Sequence, residues 1–414
     1  MTFHYTPSKW LLPAICTLIL GIPAVAQHRP TFTTIDAPDA GHTYAYGTEV
    51  IALNPFGVAV GYYVGYDNIV HGYARTPDAG FIEIDAPECA PGQTSQCVPP
   101  SLPDSDDPFT PPSTWINLNA PGTYAAAVDL MGAVTGYYVD ANGVAYGFLN
   151  RGSGSHWLRD KHGPDFTPII VPDAGAEAGQ GTFATNINLK GTIAGYYVDA
   201  SYGSHGFIRA RNGAITTFDV PDGIGTTSLG WSQCISLKQY VAGTYFDSTG
   251  LANGFVRHPN GKSFTTFEYV DADQNQDLTP WSGQGTNVWG INAGGTAVGG
   301  FIDANNIYHG LVRTADGKIT VFDVPRAASG AHTVSEAIND ENTTVGFYND
   351  ADGVHHGFMR SADGRYTYFD DPNGGDQFHQ GTVPMFIVGD AVAGFYEDGN
   401  YVWHGFEWHG VVRK

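Results

Sequence analysis

Histidine and aspartate recur at one fixed spacing along this chain. "HGYARTPDAGFIEIDAP" begins at His71, "HGFIRARNGAITTFDVP" at His205, "HGLVRTADGKITVFDVP" at His309 and "HGFMRSADGRYTYFDDP" at His356. Each carries an Asp fourteen residues after its His: Asp85, Asp219, Asp323 and Asp370. A His beside a carboxylate is the basic unit of general-base catalysis and half of a metal site. Catalysis needs one such site, whereas this pair is repeated. Repetition favours a structural role, in which each pair satisfies polar groups between packed units, where an unpaired group is costly. No residue receives a catalytic assignment. G-x-S-x-G, H-E-x-x-H and a phosphate-cradling Gly loop are all absent from the sequence.

The elements that hold these pairs follow from internal repetition. A Gly-aromatic or Gly-Leu step recurs seven times, after His71, Tyr146, His205, Asn253, His309, His356 and His404. An apolar segment precedes each ("VAVGYY", "AVTGYY", "TIAGYY" and relatives), and a segment of the "FDVP" type follows most of them. Within one period the pattern predicts four short strands, b, c, d and a, rich in Val, Thr and aromatics and bounded by turn residues. The b–c, c–d and d–a links are tight, with Gly for positive φ and Asp or Asn to cap the turn. Only a–b is long. Four-stranded sheets joined in this way, seven times over, predict an all-β seven-bladed β-propeller; a β-sandwich array or an open solenoid is the alternative.

Blade phase then places the pairs. Counting back from the hairpin in "RTADGKI" sets His309 opposite Asp323, and likewise His71 and Asp85, His205 and Asp219, and His356 and Asp370. Directly opposed residues on one face of an antiparallel pair have Cβ atoms roughly 5 Å apart, within reach of a hydrogen bond. Tyr146 meets Ile170, so both polar partners are missing there, and Asn253 meets Glu268. His404 has no Asp downstream. The first "FTTIDAP", residues 32–38, is a strand a without a blade of its own, so it is expected to close the ring and set Asp36 opposite His404.

Composition agrees with many short strands: Gly is 54 of 414 residues, aromatics are 13% and charged residues only 14%. Residues 1–26 have the form of a cleavable export signal, with Lys9, a short apolar run and "AVA" before Gln27. Residues 27–414 then form a single propeller domain, with an insertion at about 88–121, secreted or periplasmic. Losing Lys9 takes the formal charge from −22 to −23. An acidic chain of this kind is repelled by nucleic acid and by anionic membrane surfaces, so neither partner is expected, nor is membrane insertion. A monomer is expected. Cys89 and Cys97 lie in a Pro/Gly-rich loop and predict a disulfide; Cys234 is expected to be a small buried residue.

Ligands are expected on the a–b loops. Asp271, Asp273, Asn275 and Asp277 alternate as Ca²⁺ ligands do, although Gln276 and Ser282 stand where a calcium loop has Gly and Glu. A solvated acidic loop is the other reading, and no other cofactor is indicated. Trp231 and Trp281, with Asp271 and Asp277, make candidate ligand contacts; Trp289 falls in a strand and is expected in the core.

The repeated "HGF", the "GIN"-like segments before "G-x-x-V-G-Y-Y", and "F-D-V-P" resemble the HAF-type extracellular repeat proteins of bacteria, over residues 31–408. The resemblance implies export and repetition and brings no catalytic residues. The expected function is non-catalytic binding of carbohydrate or protein; a secreted polysaccharide hydrolase or lyase on the same scaffold is the alternative.

Overall fold

The computed structural model describes residues 30–43, 46–77, 80–86, 121–151, 166–221, 223–224, 233–269, 278–279 and 282–410. β-Branched and aromatic runs cut by Asx-Gly turns give 27 strands and no helix among them.

After β1 (Thr31–Ile35), blade I comprises β2 (Gly47–Leu53), β3 (Ala59–Val64), β4 (Val70–Thr76) and β5 (Gly80–Ile84). Blade II has β6 (Gly122–Val128), β7 (Val134–Val139), β8 (Ala145–Asn150) and β9 (Phe166–Ile169). Blade III has β10 (Gly181–Ile187), β11 (Ile193–Val198), β12 (Ser204–Arg209) and β13 (Ile215–Phe218). Blade IV shows β14 (Val241–Phe246), β15 (Ala252–Arg257) and β16 (Phe264–Phe267). Blade V has β17 (Gly285–Ile291), β18 (Ala297–Ile302), β19 (Tyr308–Arg313) and β20 (Ile319–Phe322). Blade VI has β21 (Thr333–Ile338), β22 (Thr344–Asn349), β23 (His355–Arg360) and β24 (Tyr366–Phe369). Blade VII has β25 (Gly381–Val388), β26 (Ala391–Glu397) and β27 (Trp403–His409).

Neighbours within every blade are antiparallel, and β1 pairs with β27 from Thr31↔His409 to Ile35↔Gly405. The N-terminal strand therefore completes blade VII, and no edge is left where the ring closes. The inner strand β2 touches both β6 and β25, so the first and last blades meet around the axis. The chain is a seven-bladed β-propeller.

Two expectations about regularity are corrected. Blade IV has no full inner strand among the described residues: the Ile235↔Val241 bridge stands in its place, backed by a bond from the Ala242 amide to the Cys234 carbonyl. The d–a link of blade II, from Arg151 to the start of β9, is far longer than a hairpin turn.

The motifs have packing reasons. The aromatic after each Gly fills the space between blades, and Tyr73, Phe148, Phe207, Phe255, Phe358 and Phe406 are all fully buried. The Gly before it makes room for strand a: a Cβ at Gly206 would lie 2.3 Å from the Phe218 ring. Strand a in turn holds the next blade. Arg257 lies over Phe218 at 4.9 Å, Arg313 over Phe267 at 4.8 Å and Arg360 over Phe322 at 4.5 Å. At the following step the Arg position is Trp408, stacked on Phe369 at 4.3 Å.

A second latch lies nearer the axis and was not read from the sequence. Each inner strand except that of blade IV carries Thr at its start, second after a Gly in five blades and first in blade VI, and that hydroxyl accepts an amide proton from the preceding blade. The donors are Ala37 to Thr48, Ala86 to Thr123, Val171 to Thr182, Tyr269 to Thr286, Val324 to Thr333 and Asp371 to Thr382. The preceding Gly is required at Gly181, where φ is +120° and a Cβ would lie 2.0 Å from the Ala145 carbonyl oxygen. The recurring "GT" was the available signal.

Candidate functional site

The c–d turns and a–b links share one face of the propeller, and the His–Asp pairs sit there at the blade edges. His71 Nδ1 lies 2.6 Å from Asp85 Oδ2, His205 Nδ1 2.6 Å from Asp219 Oδ1 and His309 Nδ1 2.8 Å from Asp323 Oδ1. His356 Nδ1 lies 3.1 Å from Asp370 Oδ1, and His404 Nδ1 3.0 Å from Asp36 Oδ1, joining the two ends of the chain. Each ring also stacks on an aromatic of the adjacent strand, as His205 does on Tyr197 at 4.9 Å and His404 on Tyr396 at 4.9 Å.

A second carboxylate faces the other ring nitrogen, supplied by the Asp of the c–d turn. Asp67 reaches His71 Nε2 at 3.3 Å, Asp199 reaches His205 at 3.3 Å and Asp350 reaches His356 at 3.3 Å. Asp303 and Asp398 stand at 3.8 Å and 3.6 Å from His309 and His404. The sequence pattern shows only the turn-capping role of Asp in these links, not this second contact. Asp199 has both roles: Oδ1 accepts the amides of Ser201 and Gly203 at 2.8 Å, which turns Oδ2 toward the imidazole.

The result is an Asp–His–Asp sandwich in five blades. Burial opposes a charge on His205 and His404, but their flanking carboxylates outweigh it and raise both pKa values. For His309 and His356 the bonds to Asp323 and Asp370 dominate, again upward. An imidazole held between two carboxylates, one of them already engaged in its own turn, is poorly placed to pass a proton on. In the other two blades, Tyr146 stacks on Tyr138 at 5.2 Å, and Asn253 donates to Asp247 Oδ2 at 3.0 Å.

The opposite end of the axis is different. There the inner strands end and the b–c turns gather around a cavity of about 220 Å³, lined by residues of all seven blades. Its wall is apolar, with Ala52, Leu53, Ala127, Ile187, Ile291, Ile338 and Phe386. Amides on its rim stitch the turns together: Asn188 Nδ2 donates to Ser236 O at 3.0 Å, Asn292 to Asn339 O at 3.0 Å and Asn339 to Gly389 O at 2.7 Å. Asn54 makes the matching bond to Asp129 O at 3.0 Å in the b–c turns of blades I and II. Gln233 Nε2 reaches Ile387 O at 2.7 Å, from blade IV across to blade VII. Asp340 and Glu341 bring carboxylates to the rim on one side. These Asn residues belong to the "GIN"-like segments, whose regularity was visible but whose role needs the ring.

Of the residues proposed from sequence for binding, Trp231, Trp281, Asp271, Asp273, Asn275 and Asp277 lie outside the described residues, as do Cys89 and Cys97. Trp289 is half-buried in β17 and packs against the core cluster of Val334, Phe347 and Trp403, with its ring 6.5 Å from that of Tyr308. Cys234 is free and buried, and burial pushes its thiol up to about 12, which keeps it unreactive.

No family model matches the chain, and no curated protein matches it. Among solved structures it is similar to virginiamycin B lyase from Staphylococcus aureus, at 11% identity over 92% of this chain and 100% of that one, with a TM-score of 0.49. It is also similar to the BP39L lectin from Burkholderia pseudomallei, at 12% identity over 90% and 97% of the two chains, with a TM-score of 0.47. The strand pairing itself establishes the propeller.

Proposed function

We propose that this chain is an exported, HAF-type interaction propeller that binds a carbohydrate or protein ligand without altering it chemically. The axial cavity is the observation that carries this reading. Its apolar wall and amide rim suit shape-selective binding, while the five imidazoles are held between carboxylates at the far face. A ligand group that fits about 220 Å³ is small, such as a single sugar ring or one side chain of a larger partner.

The test is a glycan and peptide array run beside a turnover screen, using the chain that begins at Gln27. Retention without product is expected. Ile338→Trp, which crowds the cavity from a fully buried wall position, should weaken that retention about tenfold or more, the scale of one well-buried contact, and cost about 1–3 kcal/mol of stability from overpacking. Release of product would overturn the non-catalytic reading, and retention unchanged in Ile338→Trp would remove the cavity as its seat.

A further inference from the structure

Blade I departs from its sister blades at one position. Two residues before the Asp of strand a, blades III, V, VI and VII carry Thr217, Val321, Tyr368 and Thr34; blade I carries Glu83. The frame therefore does not need a carboxylate there. In blade I it completes a cluster in which one ligand atom each from His71, Glu83 and Asp85 lies within 4.8 Å of the others.

We propose that His71, Glu83 and Asp85 bind a divalent transition-metal ion, with Zn²⁺ as the reference occupant. One nitrogen and two carboxylate oxygens make a borderline donor set, suited to Zn²⁺ rather than to the all-oxygen shell of Ca²⁺. The surroundings are those of a metal-binding histidine. Asp67 faces the other ring nitrogen at 3.3 Å, as the outer carboxylate of a carboxylate–histidine–metal unit does. Tyr63 stacks on the imidazole at 5.0 Å and fixes its plane, and its hydroxyl donates to Glu83 Oε2 at 3.2 Å. Two carboxylates whose oxygens lie within 4.8 Å of one another repel, and a cation between them removes that repulsion. Glu83 is exposed, so an ion has a way in. Three protein ligands leave a further position for water or for an oxygen of a bound partner.

The experiment titrates the oxidised, EDTA-treated chain with Zn²⁺ and with Co²⁺. One equivalent of Zn²⁺ should bind and raise the melting temperature, and Co²⁺ should give d–d bands without a thiolate charge-transfer band. Glu83→Gln should melt like wild type in EDTA and lose binding about tenfold or more, the scale seen when metal-site partners are removed. Glu83→His, which restores a ligand, should keep it. Absence of a saturable equivalent, a thiolate band, or an unchanged titration in Glu83→Gln would each overturn the proposal. Loss of binding in both Glu83 variants would do the same.

Discussion

A chain that starts at Ala37 should melt about 10 °C or more below one that starts at Gln27, and should associate as its concentration rises. Residues 31–35 cover the outer edge of β27 along five residue pairs. Ile35 is 1% exposed, and burying such a side chain stabilises by roughly 1.5–3 kcal/mol. Phe32 adds ring contacts to Phe406 at 5.6 Å, and to Phe369 and Trp408 at 6.3 Å each. Removing the strand also bares the backbone of β27, a template for pairing with another chain. A synthetic peptide of residues 30–37 added in trans should restore most of the loss, because strand addition needs only an open edge. Asp36→Ala is the milder companion. It removes one partner of His404 and leaves Asp398, so it should cost about 1 kcal/mol, near the usual value for a partly exposed ion pair. An unchanged melting temperature in the shortened chain would mean that the ring does not depend on this strand for closure.

How far the sequence reaches is clearest at the His–Asp pairs. Their opposition follows from hairpin geometry inside one blade, and the count that pairs His309 with Asp323 also pairs His404 with Asp36 across 368 positions. The second carboxylate was hidden because Asp199 already had a sufficient local role in capping its own turn. Only the placement of strand d shows that its other oxygen faces His205. Links between blades were hidden for another reason. Periodicity reveals that a unit repeats, but the rotation between units decides that Arg257 lies over Phe218 or that Thr182 meets the Val171 amide. The axial cavity is a property of seven inner strands together, and short side chains such as Ala52 and Ala127 leave its space. Glu83 was legible in principle, as the one carboxylate at a position where sister blades carry Thr, Val or Tyr.

The melting temperature should fall as pH rises from about 6.5 to about 9.5, a limb set by the Asp–His–Asp sandwiches, and fall again in strong acid. His205, His309, His356 and His404 all have raised folded pKa values. The stability they contribute is complete below the unfolded imidazole value of about 6.5 and is lost as pH climbs through the folded values. Three carboxyls act in the same direction but over a lower window. Burial lifts Glu49 from 4.5 to about 7, Glu336 from 4.5 to about 7 and Glu397 from 4.5 to about 8. Each therefore costs the fold stability progressively from about pH 4.5 up to its folded value and opposes the acid limb there. The acid limb has other owners. Burial holds His355 down at about 3 and also lowers His332 and His379. Below about pH 6.5 the unfolded chain takes up protons that these folded rings refuse, and stability falls. The flanking carboxylates Asp350 and Asp398 have lowered pKa values despite partial burial, because backbone amides and the imidazoles favour their charge; their share is lost in stronger acid. Four partly exposed sandwiches at about 1 kcal/mol each correspond to a fall of about 5 °C between pH 6.5 and pH 9.5. Asp219→Asn isolates one of them. Its neutral amide can still accept from His205 Nδ1 but lacks the charge that favours the imidazolium, so the variant should be clearly less stable than wild type at pH 6 and nearly equal to it at pH 9.5. A destabilisation that stays the same at both pH values would show that the pair contributes through packing alone and that the sandwiched imidazoles are not charged in the folded ring.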